Sequence, residues 1–186
     1  MSGHGHIEAP NKRVALLIAV LALFLALAET MAKGAQTEAL SQNVEASNLW
    51  AFFQAKTVRQ TAVRTAAEEL QVQPAAADAT LEQQRRKRVE AWTATVARWE
   101  SEPETGEGRR ELASRAKAAE AKRDLSLAKY HHYEVSSAAF QIAIVLASAT
   151  VITGAMWLAG LSGVLGAVGL AFAGIGLFAP NAVHLF

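Results

Sequence analysis

From Val135 to Phe186 the chain runs for 52 residues without one Asp, Glu, Lys or Arg. A water-exposed surface built from such residues would associate through its apolar patches. Lipid as the solvent removes that difficulty and dictates the geometry. With no water to satisfy the backbone, each crossing must be helical or part of a closed barrel, and nothing here alternates like a strand. Two stretches approach the roughly 20 residues that ~30 Å of hydrocarbon requires. One runs from about Ser137 to Ala159, the other from about Ser162 to Ala179. The uncharged joint at Gly160–Gly163 predicts a helical hairpin. Pro180 and Asn181 then stop the second helix and open a tail over 180–186.

A third apolar run, VALLIAVLALFLALA, occupies Val14–Ala28 after a 13-residue tail. It reaches a full crossing at 14–32 if Glu29 sits among the headgroups. A cleaved signal peptide is the competing reading, with Lys12–Arg13 ahead of the apolar run and Ala26-Leu27-Ala28 as the cleavage site. A processed chain would begin near Glu29, so a retained span is the expectation.

Lipid gives helices no hydrophobic reason to associate, so their contacts depend on close backbone approach and hydrogen bonds. Small residues at helical spacing mark the faces suited to that. Ser162, Gly166, Gly169, Ala173 and Gly176 form one such stripe. Ala143, Ala147, Thr150 and Gly154 form another. Gln141 and Thr153 offer hydrogen bonds across helices.

The charges concentrate between the apolar runs. Lys33–Lys129 holds 16 of the 18 basic residues, and Glu38–Glu134 holds 15 of the 17 acids. The near balance argues against a nucleic-acid arm, and the absence of cysteine excludes disulfides. Residues 33–136 are rich in strong helix formers. Breaks at Pro74–Asp78 and Pro103–Gly108 divide them into helices near 35–72, 79–101 and 109–136. The first should continue out of the opening apolar helix, and the last should feed into the second.

Coiled-coil-like contacts are predicted for this region. Val89, Trp92, Val96 and Trp99 recur at 3, 4, 3, the spacing of a packed seam. Ala118, Ala121, Leu125, Ala128 and His132 form a slimmer stripe. The block Leu49-Trp50-Ala51-Phe52-Phe53 calls for burial in the helical domain, in another subunit or against a membrane to which the chain folds back, and burial between helices or subunits is the expectation. Arg85-Arg86-Lys87-Arg88 points around the whole helix. It reads first as solvated surface, with acidic lipid headgroups or an acidic partner as the functional alternative.

Candidate chemistry is sparse. His131 and His132 are neighbours about 100° apart on a helix, not the i, i+4 pair of a metal site. With Tyr130 and Tyr133 they suit a belt at the membrane interface. His4 and His6 belong to the N-terminal tail, where copper or nickel chelation would need Met1 removed. Glu29 is an ionisable group at a span's edge, a functional candidate by default. No nucleotide, nucleophile-elbow or zinc-protease motif occurs in the sequence. Neither an active site nor a cofactor is expected.

The stretches NKRVALLIAVLALFLALAE at Asn11–Glu29 and QTEALSQNVEASNLWAFFQAKTVRQT at Gln36–Thr61 resemble a bacterial membrane-protein family filed as domain of unknown function 4337. YHHYE at Tyr130–Glu134 and QIAIVLASATVITG at Gln141–Gly154 extend the likeness. The resemblance implies one membrane helix at the start and two at the end, and no assigned activity.

The expectation is therefore an all-α integral membrane protein of the bacterial inner membrane, with one opening span, a helical extramembrane domain and a closing hairpin. Lys12–Arg13 favour a cytoplasmic N-terminus and a periplasmic central domain. A homo-oligomeric scaffold or accessory subunit of a membrane complex fits these parts. A channel or transporter component with the glycine-rich last helix near its path is the alternative.

Overall fold

A computed structural model describes residues 9–183 of the chain. Four α-helices and no strand occur among them: α1 (Ala9–Val72), α2 (Ala79–Glu100), α3 (Arg109–Thr153) and α4 (Met156–Phe178). Three of these, α1, α3 and α4, are long and apolar enough to cross a membrane.

Breaker residues explain the boundaries. Pro10 occupies the first turn of α1, where the missing N–H is harmless. Pro74, Pro103 and Pro180 all lie outside helices. Gly34 is the only glycine of α1, and the 64-residue helix runs through it. Asp78 caps α2, its carboxylate accepting from the Thr80 N–H at 2.7 Å. Glu111 in the first turn of α3 reaches back to accept from Ser101 Oγ at 2.7 Å and the Glu102 N–H at 3.1 Å.

The expected hairpin joint is corrected. Gly160–Gly163 lies inside α4, and the chain turns at Gly154–Ala155. Gly154 adopts φ +71°, which side chains rarely tolerate, and its N–H still bonds to the Thr150 carbonyl at 2.9 Å. A left-handed residue ends a helix; a glycine in ordinary helical conformation does not. Gly154 is thus the turn, exposed and with nothing within 4 Å of where a Cβ would stand, and not a member of the α3 packing stripe.

The chain divides into two units. Unit 1 comprises Met1–Leu40 with Arg123–Phe186, and unit 2 comprises Ser41–Lys122. In unit 1, Leu21, Ala28, Phe140 and Ala143 form a core, with Phe24, Ile144 and Leu165 packed against it. In unit 2, Leu49, Leu112 and Ala116 form a core that Trp50 and Phe53 cover.

Candidate functional site

In unit 1, α4 offers notches and its neighbours fill them. A Cβ on Gly166 would lie 2.7 Å from the Leu21 side chain, and one on Gly169 would lie 2.9 Å from the Phe140 ring. At Gly176 the Tyr133 ring and His132 Cβ occupy the same kind of notch, at 2.8 and 3.0 Å. Ser162 Oγ donates to the Ala143 carbonyl and Ser136 Oγ to the Gly169 carbonyl, each at 2.7 Å and buried. Ala143, Ala147 and Thr150 are buried, and Ala173 is half-buried.

His132 is 1% exposed, so it belongs to this packing and not to an outward belt. Its Nε2 lies 3.0 Å from the Pro180 carbonyl. A carbonyl only accepts, so Nε2 carries a proton. Its ring stacks on Phe172 at 6.2 Å. Tyr133 is likewise buried, while Tyr130 and His131 are half-buried with rings 5.5 Å apart. Two of the four expected belt residues are therefore internal, because the face bearing positions 132, 133, 136 and 140 turns toward α4.

An open groove of about 520 Å³ lies between α1 and α3 within unit 1. Glu29, Lys33 and Gln36 line one wall, and Tyr130, Glu134, Ser137 and Gln141 the other. Gln141 Nε2 donates to Glu29 Oε1 at 3.3 Å, and the Tyr130 hydroxyl donates to Glu134 Oε1 at 3.1 Å. That carboxylate raises the Tyr130 phenol above its ordinary pKa. Thr153 makes no cross-helix bond; it donates to the Ala149 carbonyl of its own helix.

Unit 2 contains a buried polar network that sequence reasoning missed. Gln60, 3% exposed, donates to the Val96 carbonyl and to Glu100 Oε2, both at 3.1 Å. Arg109 donates to Gln60 Oε1 at 2.8 Å, Glu100 Oε2 at 2.7 Å and Thr57 Oγ1 at 2.9 Å. Its guanidinium lies 4.9 Å from the centre of the Phe53 ring. The bond from Gln60 and the nearby Arg109 hold the Glu100 carboxyl below its usual range. Lys56, 7% exposed, bonds to the Glu107 carbonyl and pairs with Glu102 at 3.8 Å. The available signal was position: Lys56 and Gln60 continue, at helical spacing, the face that Leu49 and Phe53 begin.

The expected seams are displaced. Val89, Trp92, Val96 and Trp99 are half-buried, and α2 has no fully buried residue. In α3 the buried row is Leu112, Ala116, Ala119 and Ser126; Ala118, Ala121 and Leu125 are exposed. Phe52 faces outward, with Lys56 Nζ 5.5 Å from its ring centre, whereas Trp50 Nε1 donates to Glu120 at 2.8 Å. The basic run is not uniform surface either. Arg85 caps the end of α1, donating to the carbonyls of Leu70, Gln73 and Pro74 at 3.1, 2.8 and 3.3 Å. Glu82 binds both Arg85 and Arg86, while Lys87 and Arg88 stay exposed.

No group of His, Cys, Asp and Glu suited to a metal ion occurs among the described residues; His4 and His6 lie outside them. No curated protein and no solved structure matches the chain. A family model does match, over residues 10–179, and the chain belongs to that family, described as a domain of unknown function (DUF4337).

Proposed function

We propose that this protein is a multi-pass inner-membrane scaffold of bacteria, acting as a homo-oligomer or as an accessory subunit of a membrane complex. α1 enters by one span and α3 with α4 forms a closing hairpin. Lys12–Arg13 hold the N-terminus in the cytoplasm. Three crossings then put unit 2 in the periplasm and the Gly154 turn at the cytoplasmic face. Lys87 and Arg88 remain outward for acidic headgroups or an acidic partner.

One observation carries the oligomer. Beyond the notched face, α4 has a second edge of small residues, Gly160, Gly163, Ala167 and Ala171, all exposed. A Cβ on Gly160 or Gly163 would meet nothing within 4 Å. In lipid such an edge favours close approach of another helix, and Ile152, 85% exposed, and Trp157, 69% exposed, suit the surrounding chains.

The chain has no native cysteine, so single cysteines test the contact directly. In native membranes Gly163→Cys and Ala167→Cys should form disulfide-linked dimers on mild oxidation, whereas Val145→Cys, on α3, should not. Failure of both α4 positions to cross-link, with a monomeric mass after gentle extraction, would count decisively against the oligomer.

A further inference from the structure

We propose that the groove between α1 and α3 binds the headgroup of a zwitterionic aminophospholipid, with its primary ammonium between Glu29 and Glu134 and its phosphate at Lys33 and Ser137. The inference rests on the membrane placement proposed above. Glu29 ends the fifteen apolar residues of the first span, and Gln141 of α3 is bonded to it. The groove therefore starts at the depth where hydrocarbon gives way to headgroups. Leu25 and Val145 lie one helical turn deeper, and Val145 is exposed for an acyl chain to lie on.

The walls decide which headgroup fits. No residue of α4 lines the groove, which leaves it open to lipid and water. Polar walls reject an acyl chain. Two carboxylates and one ammonium leave a net charge of −1, which disfavours an anionic headgroup. Each carboxylate has about four acceptor sites, and the hydrogen bonds seen here take one donor each. A primary ammonium brings three N–H donors to the remaining sites. A quaternary choline brings none and is bulkier. The ligand class is thus a phosphoethanolamine headgroup.

Native mass spectrometry of the purified full-length protein, titrated with dioleoyl lipids, tests this. Phosphatidylethanolamine should bind about tenfold more tightly than phosphatidylcholine or phosphatidylglycerol, the least that charge-assisted hydrogen bonds confer. The double variant Glu29→Gln, Glu134→Gln should bring the three lipids within about twofold of one another. If that variant loses helicity, Glu134→Gln alone, which leaves the Glu29–Gln141 bond in place, should narrow the preference for phosphatidylethanolamine over the other two lipids. Equal binding of the three lipids by the native protein overturns the proposal. So does competition by tailless O-phosphoethanolamine at equal concentration, which would make the ligand a soluble amine. Alkaline washing of membranes separates the two readings. Release of the chain sinks the membrane placement, whereas retention without lipid preference sinks the groove alone.

Discussion

Glu82 shows how one side chain holds a connection in place. Its carboxylate accepts from Arg86 at 2.9 Å and Arg85 at 3.0 Å, and these bonds lower its pKa from 4.5 to about 2. As pH falls below 4.5 the unfolded chain takes up a proton here that the folded chain refuses. The stabilisation is complete above pH 4.5 and is lost as pH falls toward about 2. Thermal melts of the detergent-solubilised protein should fall across that window, and Glu82→Gln should flatten part of the fall. An unchanged pH profile in the variant would refute the role. Glu100 and Glu111 are lowered by their own partners and contribute to the same fall. None of this pairing is legible from RRKR as a run. The carbonyls that Arg85 caps belong to residues 11 to 15 positions earlier, and only the fold brings them together.

Among the elements, helix content was the legible part, because proline position and side-chain propensity are local. Pro74 and the Pro103–Gly108 loop mark real ends. The joint of α3 and α4 was misplaced because density of glycine is a poor guide inside lipid. There glycine serves close packing as often as turning, and Gly166 and Gly169 are in use for the former. Two glycines separate these effects. Gly154→Ala should destabilise by about 1 kcal/mol, since alanine resists the left-handed conformation. Gly34→Ala, in helical conformation with nothing within 4 Å of the added methyl, should stabilise α1 by up to about 1 kcal/mol. Denaturant titration of both variants checks the opposite signs. The packed face of α3 was misread for a related reason. Alanines lie on several of its faces, so spacing alone could not choose between Ala116–Ala119 and Ala118–Ala121.

At the scale of the molecule, the partition of charge along the sequence foretold helices apolar enough to cross a membrane toward both ends of the chain, because ionic side chains and an apolar solvent exclude each other. What it could not foretell was the polar interior of unit 2, where Lys56, Gln60 and Arg109 take places that an apolar core would give to leucine. Cutting the chain within 73–78 and producing the two pieces together should yield a complex that copurifies through a tag on either one. Gly166→Leu, which drives a side chain into Leu21, should weaken that recovery severalfold, and equal recovery would argue against the notch. The unit 1 core also bears on the order of events during synthesis. On the membrane placement proposed above, and with Glu29 and Gln141 112 residues apart, synthesis at 5–20 residues per second leaves the opening span roughly ten seconds without its neighbours. The residues it will later bury, Val14, Leu21 and Ala28, are all apolar, so an unaccompanied first helix exposes nothing that lipid would reject. The groups that do need partners there, Ser136 on α3 and Ser162 on α4, each donate to a carbonyl of the other helix. On that placement Ser136 waits only 33 residues for its carbonyl, and Ser162 meets one already made.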